Sequence, residues 1–435
     1  MADPREIIDQ RPMSRFQWCV VAIMIGLNAL DGFDVLSISF ASPGIAKDWG
    51  IDRAALGIVL SMELIGMAIG SIVLGGVADR MGRRWTILCC LVVMAAGMFL
   101  ASTAHDVTSL SIWRVLTGLG IGGMLAATNA AVAEVSNAAR RNLCVVLMAG
   151  GYPVGAIIGG SIAAVLLKEQ GWQSVFAFGA IVTLCFIPIV WFFAPESIAF
   201  EMQRRGPKTL ASVNRTLGRM GHGAIEVLPK RQETARKLPV AALFSPALIR
   251  PTLLLTLAYL AHIMTFYFIL KWIPKIVVDM GFPPPEAAGV LVWASIGGAT
   301  GSLILGLLTG KIRLLALTIF AMLLSTVLVI LFGRGQSDLA GLSAVAAAAG
   351  FATNAGVVGL YALIAQSFPT GVRATATGFV IGVGRGGSAL APALAGFLFA
   401  AGYGLQTVAV LMGLGSIIGA AALFAMRGVR TEANR

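Results

Sequence analysis

Five charged residues interrupt long apolar runs of this chain: Asp31, Asp34, Glu63, Arg114 and Arg385. A charge inside a membrane-length apolar segment is costly, and it is normally paired or functional. Asp31 and Asp34 stand three residues apart, so a helix places them on one face. Two carboxylates on one low-dielectric face repel each other when both ionise, and one is expected to carry an exchangeable proton. Glu63 is a third acid of the same kind. The alternative is that these acids neutralise Arg114 or Arg385 as fixed pairs. Arginine is permanently charged and needs a carboxylate partner or an anionic ligand. Arg114 and Arg385 are the two arginines placed this way. Arg385 lies in Gly382-Val383-Gly384-Arg385-Gly386-Gly387, where small neighbours leave room around the guanidinium for a substrate anion. His262, mid-way along a later apolar run, suits a proton relay, a substrate ligand or a hydrogen-bonded packing residue. Tyr152, Phe266, Tyr267, Trp293, Asn354 and Tyr361 are further polar or aromatic candidates for an aryl-lined pocket. Together these residues describe a proton-coupled carrier of an organic anion.

The elements that must position them follow from composition. Of 435 residues, 57% are hydrophobic and 12% charged, about half the charged share of roughly 25% typical of a soluble domain. Apolar runs fall near 17–39, 55–78, 85–103, 109–133, 143–167, 174–194, 251–272, 287–309, 314–333, 339–366, 375–400 and 405–426. Each approaches the roughly 20 residues that a helix needs to cross a bilayer. The predicted fold is an all-α membrane protein with twelve transmembrane helices in two six-helix pseudo-repeat bundles. Residues 1–194 form the first bundle, 195–250 a cytoplasmic connection, and 251–435 the second bundle. Gly151 and Gly155 have apparent counterparts in Gly382 and Gly386, and short basic loops at Arg140–Arg141 and Arg373 repeat likewise.

Basic residues near span ends stay on the cytoplasmic side. With the amino terminus inside, 24 of the 32 Lys and Arg are cytoplasmic, and Lys47, Arg53, Lys168, Lys271, Lys275 and Arg334 are external. Both termini are thus expected in the cytoplasm, in a bacterial inner (plasma) membrane. The net charge of +12 reflects this placement and not nucleic-acid binding. The five cysteines lie in or beside apolar segments and read as small packing residues, with no disulfide framework or metal site expected. The amino terminus is polar through Arg15, which does not suggest a cleavable signal peptide. No Walker-type G-x-x-x-x-G-K-[ST] is present, so an ion gradient and not ATP is expected to drive the carrier, and no cofactor is required.

The loop after the second run, Gly75-Gly76-Val77-Ala78-Asp79-Arg80-Met81-Gly82-Arg83-Arg84, resembles the major facilitator superfamily signature G-x-x-x-D-R-x-G-R-R/K. The resemblance implies a gating role for Gly75, Asp79, Arg80, Gly82 and Arg83. Arg114-Val115-Leu116-Thr117-Gly118-Leu119-Gly120 is similar to the fourth-helix motif, whose arginine the resemblance links to proton coupling. Gly151–Gly160 resembles the fifth-helix motif with Ala156 at its proline position. Asp31-Gly32-Phe33-Asp34 resembles the D-G-x-D motif of the aromatic acid:proton symporter family. Pro195-Glu196-Ser197, Trp272-Ile273-Pro274 and Phe368-Pro369-Thr370-Gly371-Val372-Arg373 are similar to that family and to sugar porters. At the repeat of the loop signature, Gly310 stands where an Asp is usual, so the second bundle is expected to lack the matching latch. Glu63 belongs to none of these motifs.

The resemblance implies a transporter, not an enzyme, importing a benzoate-like or hydroxylated aryl acid with protons by alternating access. It is expected to work as a monomer in lipid. A non-aromatic organic anion, a sugar, or export by the same fold are the alternatives. A membrane-embedded enzyme would need a nucleophile or metal cluster, and no His/Cys/Asp group has such spacing.

Overall fold

The computed structural model describes residues 3–204, 209–229, 240–336 and 338–426. Among the described residues the chain forms fifteen α-helices and no strand, and twelve helices are long and apolar enough to cross a membrane. After the short α1 (Pro4–Gln10), the first bundle comprises α2 (Arg15–Trp49), α3 (Arg53–Met81), α4 (Arg83–Ser102), α5 (Val107–Val135), α6 (Arg141–Glu169) and α7 (Gln173–Phe193). Two short helices, α8 (Ile198–Arg204) and α9 (Thr209–Arg219), lie in the connection. The second bundle comprises α10 (Ile249–Asp279), α11 (Pro284–Leu308), α12 (Leu314–Gly333), α13 (Leu339–Ser367), α14 (Thr370–Ala400) and α15 (Leu405–Ala425).

The twelve apolar runs map one to one onto these helices, but several helices outrun them. Hydropathy marks where a helix meets hydrocarbon, whereas caps decide where it stops. Ser14 and Gln17 close a capping box that starts α2, and Gly50, at φ 59°, ends it well beyond the apolar run. Asp52, Asp106 and Asp338 cap the starts of α3, α5 and α13, each side chain accepting from backbone N–H groups of the first turn. Asp106 lies outside the spans, and the backbone N–H groups of Ser109 and Thr108 hold its carboxyl below the usual carboxylate range.

Helix pairing repeats between the bundles: α3 packs on α5 as α11 packs on α13, and α2 on α6 as α10 on α14. The glycine correspondence read from the sequence is out of register, however. Gly155 is pressed on α2, where a Cβ would lie 1.7 Å from the Ala29 carbonyl oxygen, while Gly382 and Gly386 face open space. Within 382–387 of α14 the close approaches are instead at Gly384 and Gly387, against Tyr259 and Leu260.

We call the end carrying α1, α8 and α9 the loop end, and the end with the tight α2–α3 turn the turn end. The apolar cores divide along this axis. A core at the turn end takes Phe33, Phe40 and Phe176 from the first bundle and Phe268, Trp272 and Leu291 from the second. Toward the loop end each bundle keeps its own core, one around Met24, Met94 and Met124, the other around Tyr259, Met322 and Phe368. The polar cross-bundle contacts agree. Arg53 pairs with Asp279 at 2.9 Å, and the Ala393 N–H donates to Ser61 Oγ at 3.0 Å. A Cβ at Gly57 would lie 2.7 Å from the Pro392 carbonyl oxygen. The bundles are joined at the turn end and separate toward the loop end.

Two glycine substitutions should therefore fail differently. Gly155→Leu, overpacking one bundle internally, is expected to lower stability by at least about 1–3 kcal/mol, read as a lower thermal midpoint in detergent. Gly57→Leu obstructs only the joint between bundles and is expected to leave that midpoint much closer to wild type. Equal losses would mean that the turn-end joint is as integral to the fold as either bundle.

Candidate functional site

Beneath the shared turn-end core lies a group of charges cut off from solvent. Glu63 on α3, Arg114 on α5 and Lys271 on α10 are each fully buried. Glu63 Oε1 pairs with Arg114 Nη2, and Glu63 Oε2 lies 3.2 Å from Lys271 Nζ. Both cations also reach α2. Arg114 Nη2 donates to the Asp34 carbonyl at 2.9 Å, and Lys271 Nζ donates to the adjacent Val35 carbonyl. Arg114 Nη1 contacts Met98 Sδ at 3.0 Å, and the guanidinium carbon stands 5.3 Å from the centre of the Phe176 ring. One acid thus holds two cations, one from each bundle.

Lys271 overturns its sequence assignment to the external side. The seventh apolar run reads as ending near 272, but Ile276, Val277 and Val278 continue it, and α10 runs on to Asp279. That continuation was the available signal. Arg114 and Glu63 do come together, as the fixed-pair alternative anticipated, but in a trio with Lys271.

Asp31 and Asp34 are also buried on α2, and their carboxylate oxygens have no hydrogen-bond partner among the described residues. The Asp34 backbone carbonyl is engaged by Arg114, whereas the carboxylate oxygens of both residues are without donors among the described residues. A buried acid without a donor is stable only when neutral or when a nearby charge compensates it. The cluster holds three acids and two cations, an excess of one negative charge. Tyr152 also has a buried hydroxyl without a partner, and α6 presses its backbone on Gly32, between the two aspartates.

Arg385 sits nearer the loop end, partly buried, and donates from Nη1 to the Met67 carbonyl at 3.1 Å. Met67 is one helical turn from Glu63, so Arg385 approaches the acid-bearing helix from the opposite bundle. Tyr267, one turn before Lys271 on α10, touches all three cores and packs edge-on against Phe266, ring centres 5.2 Å apart. Tyr361 bonds the Tyr259 hydroxyl at 3.0 Å and is 42% exposed. Tyr259 in turn lies against Gly384, the residue before Arg385. Arg385, Tyr267 and Tyr361 therefore border the space between bundles.

Three other candidates lie elsewhere. His262 is buried inside the second bundle, its Nδ1 2.8 Å from Ser416 Oγ and its Nε2 2.9 Å from the Thr353 carbonyl. Both ring nitrogens are occupied, which matches the hydrogen-bonded packing alternative. Asn354 bonds the Gly298 carbonyl at 2.7 Å and Ser302 Oγ at 2.6 Å, tying α13 to α11. Trp293 is 52% exposed on the outer surface of α11.

At the loop end, Gly82 turns the chain from α3 into α4 at φ 100°, where an L side chain is strained. Glu196 Oε1 accepts from the Arg83 and Arg84 backbone N–H groups at 2.7 and 3.3 Å. The Arg83 guanidinium bonds the Ala78 carbonyl and pairs with Glu134 at 3.1 Å. Arg80 is exposed, and the surroundings of Gly75 and of the Asp79 side chain lie outside what is described. The counterpart loop at Gly310–Arg313 is exposed, with no ion pair from Lys311 or Arg313 among the described residues. In the nearby connection, burial pushes the Glu201 carboxyl up from its ordinary range, against the Ser212 hydroxyl that donates to it.

Comparison with known proteins adds the following. The sequence profile of the Major Facilitator Superfamily matches residues 24–340. A gallate transporter of Pseudomonas putida is 29% identical over 99% of this chain and 96% of its own length. A 4-hydroxybenzoate transporter of Acinetobacter baylyi is 29% identical over 89% of this chain and 86% of its own. Among solved structures, a bacterial homologue of the human lysosomal transporter Spinster, inward-facing and unoccupied, superposes with a TM-score of 0.74 at 16% identity, covering 94% of this chain and 97% of that one.

The trio makes an asymmetric stability prediction. Glu63→Ala leaves two buried cations facing each other and is expected to cost about 3–5 kcal/mol. Lys271→Met leaves the Glu63–Arg114 pair intact and should cost markedly less. Thermal unfolding of the purified protein in detergent tests the order; a larger loss for Lys271→Met would remove Glu63 from the centre of the cluster.

Proposed function

Because the chain belongs to the Major Facilitator Superfamily, we propose that this transporter imports an aromatic carboxylate together with a proton, by alternating access. The observation that carries the reading is the sealed cluster of Asp31, Asp34 and Glu63 with Arg114 and Lys271, in which the acids outnumber the cations by one. In a low-dielectric site the excess charge is expensive. One proton on the Asp31–Asp34 pair removes it, so sealing the turn end favours a protonated pair. The relatives carrying gallate and 4-hydroxybenzoate support an aryl acid as cargo.

Orientation follows from the basic residues, 24 of 32 of which lie in sequence in the two termini and in the connections after the second, fourth, sixth, eighth and tenth apolar runs. By the preference of Lys and Arg for the cytoplasmic side, the loop end and both termini face the cytoplasm of a bacterial inner membrane. The described state is then closed outside and parted inside. In the proposed cycle the aspartates take a proton from outside, and the substrate follows. Arg385 holds its carboxylate while Tyr267 and Tyr361 contact the ring. Rocking of the bundles then opens the loop end and releases the substrate first, the proton leaving the sealed pair after it. Each chain encloses one complete cluster, so a monomer suffices.

The test is uptake into proteoliposomes of benzoate, 4-hydroxybenzoate and gallate, with and without an imposed proton gradient, inside alkaline. Wild type is expected to concentrate at least one acid only with the gradient, and block by a non-aromatic acid but by no aryl acid would sink the cargo assignment. Asp31→Asn and Asp34→Asn make the cluster neutral without a proton. They are expected to retain exchange of internal for external substrate but to lose accumulation, and full accumulation by both would remove the aspartates from coupling. Arg385→Lys should raise KM about tenfold, because a point ammonium replaces a planar fork that can bind a carboxylate bidentately.

A further inference from the structure

We infer that Lys271 is a second carboxylate receptor, covered by Glu63 when the turn end is closed and uncovered for the substrate when it opens. This rests on the aryl-acid reading above and adds a residue, a position and a sequence of contacts to it.

Glu63, Arg114 and the Val35 carbonyl belong to the first bundle, and Lys271 alone comes from the second. Any motion that parts the bundles at the turn end must therefore draw Lys271 away from both of its acceptors. The first bundle loses little by this, because Glu63 keeps its pair with Arg114. Lys271 loses everything. Among the described residues its ammonium has polar partners only across the joint, at Glu63 and Val35. A fully buried ammonium freed of its acceptors must find water or an anion.

Position then names the anion. Lys271 lies one helical turn from Tyr267, which stands where the three cores meet, and Trp272 beside it is buried in the turn-end core. Opening the turn end thus exposes an ammonium next to an aromatic side chain at the mouth of the interbundle space. That combination matches a benzoate-like anion, whose carboxylate faces the cation while its ring faces the tyrosine. Arg385, on the loop-end side of the same bundle, is available once the turn end has closed and Glu63 has reclaimed Lys271. The carboxylate of the cargo and the carboxylate of Glu63 therefore take turns on one lysine. Lysine suits the part better than arginine does. It is a compact charge on a flexible stem and can reach two acceptors in two states.

The experiment uses the full chain in proteoliposomes, with its native cysteines replaced and a reporter cysteine at Ser61. This position is 2% exposed and bonded across the closed joint, so an impermeant maleimide reads turn-end opening there. Without substrate, Lys271→Gln and Lys271→Met are each expected to raise labelling at least about threefold, since the joint loses its ion pair. In the same variants KM for whichever of benzoate, 4-hydroxybenzoate or gallate wild type carries should rise about tenfold, with kcat changing less. Lys271→Arg should return both readouts toward wild type. Unchanged labelling overturns the covering contact, and increased labelling with an unchanged KM overturns the receptor. If wild type carries none of the three acids, the cargo reading fails, while the labelling result still decides whether Lys271 closes the turn end.

Discussion

A carboxylate that must satisfy two cations at once sets the terms for the rest of the molecule. Glu63 accepts Arg114 from its own bundle and Lys271 from the other, in a place that water does not reach. Such a trio is poor value as a source of stability, since desolvating ions costs about as much as their attraction returns. Its effect is positional. The ammonium of Lys271 can stay buried only while the bundles meet at the turn end, so the shared core around Phe40, Phe176 and Trp272 and the trio below it stand or part together. Arg53 with Asp279, and Ser61 with Ala393, add weaker ties at the rim of the same joint.

The division of the apolar cores explains how a chain built this way can move without unfolding. Toward the loop end each bundle keeps a core of its own, with Tyr267 of the second bundle touching both, so parting the bundles there uncovers little of either core. The loop signature strengthens this independence. Arg83 is tied to Ala78 and Glu134, and Glu196 gathers the first backbone N–H groups of α4, all within the first bundle and its connection. The exposed Gly310–Arg313 loop has no such ties among the described residues, in keeping with the missing acid at Gly310. The turn between α3 and α4 is therefore rigidly attached to the first bundle and can move as part of it.

Length and hydropathy made the twelve spans legible, because crossing hydrocarbon demands a run that no soluble helix has. The Asp31–Asp34 pair was legible for a similar reason, as acids stand out against an apolar background. Depth and side-chain partners were not legible. Lys271 looked like a flanking charge because α10 continues past it under a Trp-Ile-Pro-Lys sequence that reads as an ending. His262 and Asn354 looked functional because a polar residue in a span is unusual. Their partners, Ser416 and the Thr353 carbonyl for one, Gly298 and Ser302 for the other, lie far away in sequence, and only the packed bundle brings them together. The Gly382 and Gly386 echo failed by register: glycine spacing records a close approach but not which face makes it.

The distribution of charge between the bundles carries the mechanism one step further. All three buried acids, and the arginine that compensates one of them, are on the first bundle, whereas Lys271 and Arg385 are on the second. In the proposed cycle, then, protons are handled by one body and the anionic cargo by the other. Two bodies that each bound their own ligand would not be coupled by that fact alone, since coupling requires a contact whose free energy depends on both. The Glu63–Lys271 pair meets that requirement. Its acid belongs to the set whose neutrality the proton decides, and its cation is one the cargo can occupy. A deprotonated Asp31–Asp34 pair adds negative charge beside Glu63 and so weighs against sealing the joint, while a carboxylate on Lys271 competes with Glu63 directly. Both ligands thus act on the same closing step, and this one cross-bundle pair is enough to make the movement of one depend on the other.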